Sequence, residues 1–163
     1  MTAKEYNECV DRFADNIYRF VLKHLKSKDA ANDVVQETFA KVWVRKDDVS
    51  VEKAKSYLFT TAHHTLIDVV RKEKYKDDLS KISKTHSFEP VRNTDLQAIL
   101  HSALDKLPEI QKTVVLLRDY EGYAYDEIGE ITGLTETQVK VYIFRARKSL
   151  QEILVSVEAV LDN

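Results

Sequence analysis

The chain has 163 residues, with 25 Lys and Arg against 27 Asp and Glu, 44% apolar residues, and only 3 Gly and 2 Pro. That size suits one ordinary domain or two small ones, and charge of mixed sign beside a normal apolar content excludes a disordered tail. Cys9 is the single cysteine, no apolar run reaches the ~18 residues of a membrane span, and Met1 to Glu8 lacks an apolar signal core, so disulfide scaffolds and membrane proteins are excluded and a cytoplasmic protein is expected.

All Gly and Pro residues (Pro90, Pro108, Gly122, Gly129, Gly133) fall in the second half, so the first 89 residues contain no strong helix breaker. Phe13, Ile17, Phe20, Val21 and Leu25 recur at three- and four-residue steps, which predicts a first helix. A second follows a cap at Ser27 or Asp29, with Val34, Val35, Thr38, Phe39, Val42 and Trp43 on its apolar side. Phe39 and Trp43 are expected on the core face, and Asp33, Gln36, Glu37 and Lys41 on a polar one. A third helix starts at Ser56 or just before it and carries Tyr57, Leu58, Thr61, Ala62, Leu66, Val69 and Val70. His63 and His64 are expected on its surface; adjacent residues point about 100° apart on a helix, which does not suit a shared metal.

From Tyr75 to Asp95 the periodicity dissolves into a polar run, too long for a loop within one compact domain. The organisation expected is an all-α fold of two small helical domains, residues 1–76 and 95–163, joined by a linker over 77–94. The second domain opens with Leu96, Ile99, Leu100, Ala103 and Leu104; Pro108 can start the next helix from its first turn, and that helix stops near Gly122.

The stretch YAYDEIGEITGLTETQVKVYIFRARKSL (Tyr123 to Leu150) has the pattern of a helix-turn-helix. A short helix over about 125–132 closes at Gly133, Thr135 can cap the next helix with Gln138 completing a capping box, and Gly129 allows close helix crossing. Val139, Ile143, Ala146 and Leu150 should pack inward. Thr137, Gln138, Lys140, Val141, Phe144, Arg145 and Lys148 are then left outward. Four basic residues and no acidic one lie between Thr137 and Gln151, whereas Asp119 to Glu136 holds six acidic residues and no basic one. Local segregation of charge thus presents a cationic recognition helix that a net charge of −2 conceals.

The same block resembles region 4 of bacterial sigma factors of the extracytoplasmic-function type. The elements that carry the resemblance are Leu107-Pro108, Glu121-Gly122, Tyr125, Glu127-Ile128, Val139-Lys140 and Arg145-Ala146-Arg147 with Leu150. It departs at Gly129, where the family usually has Ala, and at Gln138, where Thr is common. DAANDVVQETFAKVW (Asp29 to Trp43) resembles region 2.2 at Asp29, Ala30, Asp33, Gln36, Glu37, Phe39 and Trp43; KSYLFTTAHHTLIDVVRK (Lys55 to Lys72) resembles regions 2.3 and 2.4, with Tyr57 in a Trp position and His64 where Asn is usual.

The resemblance implies a sigma factor that directs core RNA polymerase to promoters and initiates transcription. The implied minus-35 duplex contacts are Thr135, Thr137, Gln138, Lys140, Val141, Phe144, Arg145 and Lys148. Tyr57, His63, His64, Arg71 and Lys72, with Lys74, supply π-faces and cations suited to a melted minus-10 strand, and Asp33, Gln36, Glu37 and Lys41 are implied to dock on core polymerase. Its β′ clamp helices and β flap, promoter DNA and an anti-sigma factor are the implied partners. No cofactor, metal, small-molecule substrate or membrane insertion is expected. No Gly-rich phosphate loop, G-x-S-x-G or HExxH is present, so no enzyme is expected. A helix-turn-helix regulator that acts without polymerase is the alternative; it has no need of the Asp29 to Phe39 signature, so substitutions there would leave its function intact.

Overall fold

The computed structural model describes residues 1–79 and 96–161. Among these residues there are seven α-helices and no strand: α1 (Ala3–Leu25), α2 (Lys28–Arg45), α3 (Ala54–Leu79), α4 (Leu96–Asp105), α5 (Glu109–Val115), α6 (Tyr125–Thr132) and α7 (Glu136–Leu161). Two compact units emerge, the first holding α1 to α3 and the second most of the later helices. The expected linker lies outside the described residues from residue 80 onward.

In the first unit, local chemistry sets the helix ends. Thr2 and Glu5 form a reciprocal capping box on α1, with the Glu5 N–H donating to Thr2 Oγ1 at 3.1 Å and the Thr2 N–H to Glu5 at 2.9 Å. Lys26 closes the helix in a left-handed conformation at φ 59°, and Ser27 then caps α2 by accepting from the Ala30 N–H. The three helices pack pairwise around Ile17, Phe20, Val21, Val34, Val42, Leu58, Phe59, Ala62 and Leu66. Phe20 meets Phe59 edge-on at 5.9 Å, a contact worth about 0.5–1.5 kcal/mol beyond its burial. Two single 3-10 turns, Lys46–Asp48 and Val51–Lys53, carry the chain from α2 to α3.

Three expectations change here. α3 continues past Tyr75 to Leu79, because Arg71 to Lys76 holds good helix formers and no Gly or Pro, and a helix on a packed base propagates without an apolar repeat. Trp43 is 45% exposed rather than in the core. It sits in the last turns of α2, where Tyr6 covers only one side of its ring at 4.9 Å and the Lys46 ammonium lies 4.7 Å from the ring centre. His63, expected on the surface, is buried at 6% exposure, while His64 is exposed. α3 is covered by both α1 and α2, so its buried face is wider than one apolar stripe and takes in His63 and Thr65 beside Ala62 and Leu66. The threonine hydroxyls of this helix are satisfied within it: Thr60, Thr61 and Thr65 donate to the carbonyls of Ser56, Tyr57 and Thr61.

In the second unit α4 and α5 both pack on α7. Pro108 takes the cap position, with Glu109 opening α5, one place earlier than the first-turn role expected. α5 runs into a π turn over Leu116–Tyr120, in which the Glu121 N–H donates to the Leu116 carbonyl at 3.1 Å. Gly122 follows at φ +75°, a conformation that suits a residue without Cβ. The Lys112 ammonium is buried and bonds Asp105 at 2.9 Å, joining α4 to α5. Tyr123, Ile128, Val139, Ile143 and Ala146 complete the core, whereas Leu150, expected inward, is only partly covered.

Candidate functional site

The helix-turn-helix is built from α6, Gly133 and α7. Gly133 reverses the chain at φ +78°. An added Cβ on Gly129 would stand 2.8 Å from the Leu134 carbonyl oxygen, so this crossing is tighter than alanine allows without movement of backbone. Thr135 and Gln138 then close the predicted capping box: the Gln138 N–H donates to Thr135 Oγ1 (3.2 Å) and the Thr135 N–H to Gln138 Oε1 (3.0 Å). Both side chains sit at the mouth of α7, already engaged with its backbone.

Beyond the cap, Val139, Ile143 and Ala146 turn into the core, while Thr137, Lys140, Val141, Phe144, Arg145 and Lys148 stay exposed. Spacings of four, three and four residues along Thr137, Val141, Phe144 and Lys148 place them in one stripe. Phe144 is 68% exposed, a large apolar group held in water on a cationic face. Lys140 is poised between Glu136 at 3.5 Å and the Tyr125 ring at 5.5 Å, and Arg145 lies against Tyr142. Such a stripe can offer cations to phosphates or guanine edges and apolar surface to thymine methyl groups.

The cations of this unit are divided in a way that spacing along the chain did not reveal. Arg147 forms a bidentate pair with Asp119, its Nε at 3.0 Å and Nη2 at 2.5 Å from the two carboxylate oxygens. Hydrogen bonding to Asp119 raises its pKa further. Arg118 donates to the Tyr123 carbonyl at 2.9 Å and stacks over Tyr125 at 4.2 Å. Arg147, Arg118 and Lys112 therefore hold the unit together, and Lys140, Arg145 and Lys148 are presented outward. Asp119 lies 28 residues before Arg147, and no local pattern links the two.

In the first unit, Asp33, Gln36, Glu37 and Lys41 are exposed along α2. Lys41 bridges, its ammonium 3.2 Å from Glu37 and 3.0 Å from Thr65 Oγ1 on α3. Trp43 and Val44, at 45% and 81% exposure, add apolar surface that the sequence assigned to the core or left unremarked. On α3, His64, Arg71, Lys72 and Lys74 are exposed and Tyr57 is half-buried; His63 is not brought to that surface. Among the described residues no helix is long and apolar enough to cross a membrane.

Both halves match known families: residues 9–75 match Sigma-70 region 2 and residues 97–150 match Sigma-70, region 4. The RNA polymerase sigma factor SigV of Bacillus subtilis is 34% identical over 152 residues, covering 88% of this chain and 87% of that protein. The ECF RNA polymerase sigma factor SigM of the same organism is 28% identical, covering 90% and 93%. Among solved structures, the sigma factor RpoE in complex with the anti-sigma factor NepR from Bartonella quintana superposes with a TM-score of 0.78 at 25% identity, over 93% of this chain and 98% of that one. With each half carrying its own family match on the helices that present the exposed faces described above, the chain belongs to the sigma-70 family and is an RNA polymerase sigma factor of the extracytoplasmic-function (ECF) type.

Proposed function

We propose that the chain divides this work between residues 1–76, which bind core polymerase and open the minus-10 element, and residues 95–163, which read the minus-35 element as duplex, with 77–94 as a linker passing near the RNA exit path. The observation that carries the proposal is the outward stripe of α7, where Lys140, Val141, Phe144, Arg145 and Lys148 stand exposed beside a tight turn. Lys140, Arg145 and Lys148 supply counterions to phosphates or base edges, and Val141 and Phe144 supply apolar contact. Thr137 begins the stripe. Thr135 and Gln138 act at the helix mouth, positioning the first turn of α7 through the capping box.

In the first unit the exposed Asp33, Gln36, Glu37 and Lys41 form the surface for the β′ clamp helices, and the second unit meets the β flap. Tyr57, His64, Arg71 and Lys72, with Lys74, serve the opened strand; His63 supports α3 from inside. An anti-sigma factor is the regulatory partner, a proposal supported by the RpoE–NepR complex. The chain works in the cytoplasm without catalysis of its own, through the polymerase it directs.

The test is promoter binding by holoenzyme reconstituted from core polymerase and the full chain. Lys140→Gln and Arg145→Gln should each weaken minus-35 binding and make its salt dependence shallower by about 0.9 in log–log slope for each phosphate no longer neutralised. An unchanged slope in both variants would remove α7 from the reading role.

A further inference from the structure

Near the end of α3 an aromatic ring stands out in water. Tyr75 is 66% exposed in a helical segment, Arg71 to Lys76, that holds four basic residues and one acidic one. Arg71, Lys72, Tyr75 and Lys76 together line, among the described residues, a hollow of about 470 Å³. The helical repeat explains their meeting: positions 71, 72, 75 and 76 fall on one face, whereas Glu73 lies about 160° around the helix from Tyr75. The side chains are all exposed.

We infer that Tyr75 is a stacking platform for one unpaired base of promoter DNA, with the Arg71, Lys72 and Lys76 cations on the phosphates either side of it. The inference rests on the minus-10 opening proposed above, and it assigns a residue that neither motif nor family match singles out. Cations alone fit any polyanion. The exposed ring selects among polyanions: an aromatic face stacks most readily on a base that has left the duplex, because bases inside a duplex already have both faces covered by their neighbours, and such stacking tolerates any base. The apolar stems of the lysines and arginine around the ring enlarge the platform while their charged ends reach outward.

The experiment uses holoenzyme made from core polymerase and the full chain, on promoter fragments carrying a fluorescent adenine analogue at successive positions in and just upstream of the minus-10 element. One position should be quenched by the wild-type chain and by Tyr75→Phe and Tyr75→Trp, and should brighten with Tyr75→Ala. Affinity for a forked template should fall roughly 5- to 150-fold for Tyr75→Ala, with core binding unchanged as the control for folding. Identical quenching and affinity in Tyr75→Ala and wild type would overturn the inference. So would an equal drop in Tyr75→Phe, which would make the hydroxyl rather than the ring responsible. RNA oligonucleotides that compete as well as the opened DNA strand would also overturn the assignment to promoter DNA. If the wild-type holoenzyme brightens no position anywhere, minus-10 opening itself fails and the inference falls with it, a result distinct from opening that ignores Tyr75.

Discussion

Tyr123 carries its phenol into the core of the second unit at 1% exposure. Burial, and after it the charges of Glu121 and Glu127, push the phenol far above its ordinary value of 10.0. In the unfolded chain this proton is lost near the ordinary value, while the native state keeps it. The stabilising difference is therefore complete below that pH and declines by up to about 1.4 kcal/mol per pH unit above it. Urea unfolding between pH 9 and 11.5 should show the decline, and Tyr123→Phe should flatten the slope by about one proton; equal slopes would contradict the assignment. His63 and Trp43 show at the same scale what composition and spacing leave open. Both lie on helices read correctly from periodicity, yet the imidazole is inside and the indole half outside. Exposure there depends on how many neighbours cover a helix turn, which is not encoded in the turn itself.

Among the helices and turns, caps were legible because their chemistry is local. Ser27, Thr135 with Gln138, and Gly133 act within three or four residues of where they stand, and α6 has the bounds its pattern predicts. The α3 extension and the π turn were not legible: one depends on propagation from a packed base, the other on a backbone register, with the Glu121 N–H on the Leu116 carbonyl, that no residue type in the segment signals. Gly129 tests the tightness of the recognition turn. Alanine there gains about 1 kcal/mol of helix propensity but puts a Cβ 2.8 Å from backbone oxygen, where overpacking costs about 1–3 kcal/mol. Gly129→Ala should therefore lower the thermal midpoint and weaken minus-35 binding by displacing α7. A midpoint at or above wild type would show that the turn yields freely.

Across the entire chain, charge is distributed rather than balanced. Residues 1–76 hold 15 basic against 12 acidic side chains, and residues 95–163 hold 7 against 12. With only three exposed cations on α7 outside the Arg147–Asp119 pair, the isolated chain should bind a promoter duplex weakly, near the 10⁻⁴–10⁻⁶ M typical of non-specific contact. Adding core polymerase should tighten binding about 100-fold or more, because two modest sites held on one scaffold act at high effective concentration. Fluorescence anisotropy of a labelled promoter duplex with and without core measures this, and equal affinities would refute the tethered arrangement. The helical class, the caps at Ser27 and Thr135, the bounds of α6, the turn at Gly133 and the family all follow from the amino-acid sequence, since each rests on residues a few positions apart. Which charges are tied up within the fold and which stand outward is settled only by tertiary packing. Arg147 turns to Asp119, Lys112 to Asp105 and Arg118 to the Tyr123 carbonyl, while Lys140, Arg145 and Lys148 remain outward, because a cation's role is set by what packing brings within about 3 Å of it.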